Sequence, residues 1–267
     1  MSKVWFVTGS SRGLGRSFVE AALSRGDRVA ATARSSLTEL TSRYGDAVLP
    51  LTLDVTDRSA VFEAVEQAHA HFGQLDVIVN NADYGLSGAV EEFNEAQLRD
   101  QFDTNFFGAL WVVQAALPYL RAQGDGHVIQ ISSVAGLTGL ALGGAYCASK
   151  WALEGLSEVL AQEVAGFGIK VTVVAPGGYA TDGVTGGVQA DPNPLYDDLR
   201  AGLSAYLAAA DFGDTDAAGR AILKLADATD PPLRVFFGTQ GFPMVQQVYA
   251  DRLKTWEDWQ GLAAEAM

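Results

Sequence analysis

Apolar positions along the chain fall into short runs, rich in β-branched residues, that alternate with longer amphipathic stretches. Val4 to Thr8, Arg28 to Ala33, Ala47 to Leu53, Asp76 to Asn80, His127 to Ser132, Lys170 to Ala175 and Leu233 to Phe237 have the length and make-up of strands. Between them, Arg16 to Ser24, Ser59 to Phe72, Glu95 to Arg121, Ala145 to Phe167 and Thr215 to Ala228 carry helical periodicity. Gly26-Asp27 stops the first of these helices, and Pro118 lies near the end of the third. Strands and helices alternating at this spacing predict an α/β fold. Its core would be a doubly wound, parallel, seven-stranded sheet with helices on both faces.

The pattern runs through the chain without a repeat or a low-complexity linker, so residues 1–267 are expected to form one domain. Residues 182–213 interrupt it, with five glycines, two prolines and five aspartates. A long irregular insertion of this kind predicts a substrate lid, with a short apolar helix from Leu199 to Ala210 in its second half. The tail, about 241–267, predicts one helix on which Trp256 and Trp259 share a face as packing residues.

Composition removes several classes of function. The formal charge of −14 repels phosphate backbones and anionic lipid heads, so neither nucleic acid nor a membrane is an expected partner. Cys147 is the only cysteine, which excludes an internal disulfide and a thiolate metal cluster. His69 and His71 are two apart and do not share a helix face, so no metal site is expected. The apolar run Val4 to Val7 is too short for a signal peptide, and no stretch reaches the ~18 apolar residues of a spanning helix. A cytoplasmic setting is expected.

Candidate chemistry begins where the first strand ends, on Gly9-Ser10-Ser11-Arg12-Gly13-Leu14-Gly15. Glycines let the backbone approach a pyrophosphate, and the following helix offers free N–H groups and a positive dipole end. The spacing is G-x-x-x-G-x-G, not the G-x-G-x-x-G of the dinucleotide fingerprint. An acid after the second strand would bind the adenosine ribose of NAD. This chain has Ala33-Arg34-Ser35 there, with Arg12 inside the glycine turn. Two guanidiniums at that place suit the extra phosphate of NADP(H).

Tyr146 and Lys150 are four apart on one predicted helix and so lie one turn apart on the same face. A neighbouring ammonium favours the phenolate, which predicts a tyrosine able to exchange a proton near neutral pH.

Together with Thr8 to Gly15, Asp54-Val55, Asn80-Asn81-Ala82, Asn105, Ile131-Ser132-Ser133 and Pro176-Gly177 with Thr181, this pair resembles the short-chain dehydrogenase/reductase family in its short, single-domain form. The resemblance is close from Lys3 to about Thr181 and looser beyond. It implies a Rossmann-like fold and an NADP(H)-dependent oxidoreductase that interconverts a carbonyl and an alcohol. In that role Tyr146 is general acid or base, and Lys150 holds the nicotinamide ribose and tunes Tyr146. Ser133, thirteen residues before the tyrosine, polarises the substrate oxygen, leaving Ser132 as its structural neighbour, and Asn105 positions a water linking Lys150 to solvent.

The resemblance gives cofactor contacts to Gly9, Ser11, Arg12, Gly13, Leu14, Gly15, Arg34, Ser35, Asp54, Val55, Asn81 and Ala82. It adds Tyr146, Lys150, Pro176, Gly177, Tyr179 and Thr181 around the nicotinamide. It also implies a homodimer or homotetramer. The run Lys150 to Gly155 is similar to the steroid- and retinol-dehydrogenase branch and hints at an apolar substrate.

Two positions depart from the family pattern. Asp83 stands where the family has glycine, and is expected to serve through its tolerance of unusual backbone angles. Tyr179 replaces an aliphatic residue. Glu91 and Glu92 are expected to be a solvated helix start. A non-catalytic NADP-binding regulator remains the main rival function. Its signature would be a broken tetrad, and all four positions are intact here.

Overall fold

The structure is a computed structural model, whose described residues are 2–179 and 187–267. Seven strands form one parallel sheet: β1 (Val4–Val7), β2 (Arg28–Ala33), β3 (Val48–Thr52), β4 (Val77–Asn80), β5 (Gly126–Ile131), β6 (Ile169–Pro176) and β7 (Arg234–Phe237). Their order is β3-β2-β1-β4-β5-β6-β7, so the chain winds outward in one direction from β1 and in the other from β4. Ligands in such sheets bind beyond the carboxyl ends of the strands, at the point where the winding reverses.

Covering both faces explains why the central strands read as continuous apolar runs. Alternate residues of β1 serve opposite layers, because side chains alternate along a strand. Trp5 and Val7 join Phe18, Leu40 and Ile222. Val4 and Phe6 join Val65, Ile78, Leu120 and Leu160. The first layer contains α1 (Gly13–Arg25), α2 (Thr38–Tyr44) and α8 (Thr215–Asp227); the second contains α3 (Arg58–Phe72), α5 (Gly108–Gln123) and α6 (Gly144–Val164). The remaining helices are α4 (Glu95–Phe102), α7 (Asp197–Ala209), α9 (Gly241–Asp258) and α10 (Gln260–Glu265).

Side-chain caps fix where several helices start. Asp57 accepts from the Ala60 N–H at α3, Asn94 and Gln97 form a capping box at α4, and Asp214 accepts from Asp216 and Ala217 at α8.

The structure departs from the sequence expectation in four places. The helix expected over Glu95 to Arg121 is broken by a π-helical turn, Asp103–Phe107, which holds Asn105. Helix α2 lies in a polar stretch whose periodicity is too weak to reveal it. The tail breaks at Trp259 into α9 and α10, and Trp256 and Trp259 stand exposed instead of packing. In the region expected to be a lid, residues 182–186 lie outside the described residues. Its remainder pairs Val188–Gln189 with Leu86–Ser87 and then forms α7.

Candidate active site

Thr8, Asn81 and the glycine turn form a neutral knot at the reversal point. The Thr8 hydroxyl accepts from the backbone N–H groups of Asn81 and Ala82, at 3.0 Å each. The Asn81 amide donates to the Thr8 and Gly9 carbonyls at 3.0 and 3.2 Å. Gly9 has φ +69°, and a Cβ there would lie 2.9 Å from Ala82 Cα. A Cβ on Gly15 would run into the Gly9 carbonyl and the Asn81 amide. The turn is therefore locked to β4, and the N-terminus of α1 opens beside it with no acid in its first turn.

The other expected cofactor positions gather along the same edge. Arg12 is the residue before α1, and Arg34 and Ser35 follow β2; all three are exposed, as is Ser11. The Ser10 N–H donates to the Thr32 carbonyl at 2.9 Å, which holds the glycine turn against the end of β2. Asp54 is exposed just past β3 and is braced by the backbone and hydroxyl of Thr56 at 3.0 and 2.8 Å. Val55 is buried, with its side chain close against Gly108. Pro176 ends β6, and the Gly177 N–H donates to the Phe237 carbonyl at 2.9 Å. The Tyr179 ring is buried against Gly213. Thr181 lies outside the described residues.

Tyr146, Lys150, Ser133 and Asn105 converge next to this edge. The Lys150 ammonium lies 5.5 Å from the centre of the Tyr146 ring, as their spacing on α6 requires. Its side chain is 1% exposed and donates to the Ile131 carbonyl at 2.8 Å. Ser133 leaves β5 toward the phenol, while Ser132 is buried beneath Gly136, so only the second serine reaches the site. The π turn aims Asn105 inward. Its amide group exchanges hydrogen bonds with the Tyr84 backbone at 3.0 and 3.1 Å and donates to the Ser149 hydroxyl at 3.1 Å.

Asp83 works differently from expectation. Leu142 is the one described non-glycine residue with positive φ, so Asp83 occupies ordinary backbone space. Its carboxylate is what matters: Oδ2 lies 2.7 Å from Lys150 Nζ and accepts from the Tyr146 hydroxyl at 3.3 Å. The phenol shifts in the direction opposite to the expected depression. Burial and the Asp83 charge push Tyr146 well above the ordinary tyrosine value, against the opposing pull of the Ser133 hydroxyl.

Glu92 is a second departure. Its side chain is 1% exposed and accepts from the backbone N–H groups of Ala89 and Asn193 and from Arg200, tying α7 to the turn Val90–Glu92. These contacts hold its carboxyl below the usual range, the Asn193 N–H most of all. Glu91 is exposed, as a solvated start requires, and accepts from the Tyr196 hydroxyl at 2.6 Å.

This geometry coincides with a family match. A profile described as short chain dehydrogenase matches residues 3–191. The chain belongs to that family. Oxidoreductase BOA17 of Botryotinia fuckeliana is 41% identical over 247 residues, which cover 89% of each chain. The 3-ketodihydrosphingosine reductase of Bacteroides thetaiotaomicron is 34% identical over 95% of this chain and 93% of its own.

Among solved structures, a short-chain dehydrogenase from Streptomyces avermitilis superposes with a TM-score of 0.93 at 37% identity, covering all of both chains. An alcohol dehydrogenase from Thermococcus sibiricus, complexed with 5-hydroxy-NADP, gives 0.73 at 25% identity over 89% of this chain and 96% of its own. A Burkholderia phymatum family member in complex with NAD gives 0.83 at 22% identity over 95% of each, a likeness of fold alone. The chain is thus an oxidoreductase of the short-chain dehydrogenase family, and the Thermococcus sibiricus enzyme whose structure it resembles holds 5-hydroxy-NADP. Among the described residues no helix is long and apolar enough to cross a membrane, and no cluster of three metal-ligating side chains occurs.

Proposed function

We propose that the protein is an NADP(H)-dependent reductase or dehydrogenase that interconverts a ketone or aldehyde and an alcohol. The observation that carries this reading is the convergence of Tyr146, Lys150 and Ser133 beside a glycine turn too tight for side chains. The dinucleotide fits that turn: Gly9 and Gly15 leave backbone where a Cβ would collide, and the α1 N-terminus offers N–H groups to a pyrophosphate. When bound, it supplies the hydride.

The protein's own residues manage the oxygen. Ser133 donates a hydrogen bond to the carbonyl, and Tyr146 gives it a proton as the alcohol forms. Lys150, fixed by the Ile131 carbonyl, supplies positive charge beside the phenol and anchors the ribose hydroxyls. Asn105 holds the Tyr84 backbone and Ser149 in place one residue before the lysine. Arg12 and Arg34, with no acid at the end of β2, support NADP over NAD.

Substrate preference follows from the walls around the start of α6. Exposed Val90 approaches Gly144 together with Phe93, and Leu140 is partly exposed beside them, which suits an apolar carbonyl compound. The relative named 3-ketodihydrosphingosine reductase is likewise named for a keto substrate. A panel of apolar and polar carbonyls, read by nicotinamide absorbance with NADPH and with NADH, tests the proposal. Turnover of apolar ketones or aldehydes with NADPH favoured is expected. No turnover of any carbonyl by protein that binds NADPH would favour a regulatory role instead.

A further inference from the structure

We propose that Asp83 is a positioning residue that sets the protonation of the reaction centre, cancelling the Lys150 charge and holding Tyr146 as a proton donor. This rests on the acid–base reading of Tyr146 given above. A glycine at this position would leave the buried ammonium alone beside the phenol, and an uncompensated positive charge favours phenolate. Here a carboxylate oxygen lies 2.7 Å from that ammonium and 3.3 Å from the phenol oxygen. With Tyr146 protonated, the three side chains sum to zero charge; ionising it would place two anionic oxygens in contact beside one ammonium, which can neutralise only one of them. The phenol is the favoured state.

The other groups facing the phenol do not restore the balance. Cys147, on the same helix, has its thiol pushed up by burial, and once ionised it opposes the phenolate as Asp83 does. Tyr84, beside Asp83, is likewise pushed up, by burial and by Asp100 and Asp103 against the opposing charge of Arg34. Ser133 from the end of β5 and Asn105 from the π turn are uncharged and contribute hydrogen bonds only. Asp83 is thus the group that opposes Lys150. A site set this way is ready to protonate a carbonyl oxygen at neutral pH. In the reverse direction it must first lose a proton from Tyr146, so alcohol oxidation is displaced to alkaline pH.

The decisive experiment needs neither cofactor nor substrate. Tyrosinate absorbance is titrated in the wild type, Asp83→Asn and Asp83→Gly, each paired with the same protein carrying Tyr146→Phe, so that the difference isolates one tyrosine among eight. Tyr146 is expected to ionise about one pH unit or more lower in both Asp83 variants. The alkaline rise of alcohol oxidation with NADP should move down by a similar interval. Far-ultraviolet circular dichroism confirms folding, and either variant alone is sufficient should the other fail to fold. An unchanged or higher Tyr146 titration in a folded Asp83 variant would overturn the proposal. The acid–base reading fails separately: full carbonyl reduction by Tyr146→Phe would reject it while leaving the titration result intact.

Discussion

Asn81 and Asp83 lie two residues apart at the exit of β4 and work in opposite ways. Asn81 spends its amide on the Thr8 and Gly9 carbonyls, so its partners are backbone and its service is to shape. Asp83 spends its carboxylate on Lys150 and Tyr146, so its partners are side chains whose charge can change. One short segment thus divides the site into a neutral knot, sensitive to volume, and an ionic group, sensitive to charge. Mutations that preserve one property and alter the other separate the two.

The largest effect is expected on the ionic side. Lys150→Ala removes the ammonium and leaves Asp83 beside the phenol with nothing opposing it. Carbonyl reduction should fall by about 10²–10⁴-fold in kcat, the range of acid–base assistance, and NADPH should bind more weakly. Steady-state kinetics and a fluorescence titration of NADPH measure both. A loss confined to KM would place the lysine outside the chemistry.

On the neutral side, Gly15→Ala adds a methyl group where the Gly9 carbonyl and Asn81 amide already stand. Forcing a group into such packing is destabilising by roughly 1–3 kcal/mol, so Tm should drop and NADPH affinity with it. The pH dependence of any remaining turnover should keep its wild-type shape, because no charge has changed. A shifted pH profile in this variant would dissolve the division between the two regions.

A smaller effect is expected at the rim of the cradle. Arg34→Ala should weaken NADPH about tenfold or more, the worth of a charge-assisted contact to phosphate, and leave NADH nearly unaffected. Equal kcat/KM for the two cofactors in the wild type would remove the basis for this selectivity.

What the sequence makes legible follows the range of each interaction. Strands, most helices and the Tyr146–Lys150 pair are set by periodicity over a few residues, and the structure places that pair as its spacing requires. The knot is legible in part, since a glycine turn after a strand announces itself locally. The role of Asp83 is hidden because its partners lie on a helix more than sixty residues later. Glu92 is hidden likewise: it reads as a solvated helix start until folding brings Arg200, 108 positions away, onto it. The π turn at Asn105 sits within unbroken helical periodicity, and only the hydrogen bonds to the Tyr84 backbone give a reason for its extra residue. Long-range ion pairs leave no period to read.

The central claim is that Tyr146 supplies the proton in carbonyl reduction, and Tyr146→Phe tests it most directly. The change deletes one oxygen and keeps the ring, so the Lys150–Ile131 contact and NADPH affinity should survive. With a carbonyl substrate that the wild type turns over, kcat for NADPH oxidation is expected to fall by at least ~10²-fold. A variant that binds NADPH normally and retains most of its kcat would contradict the account.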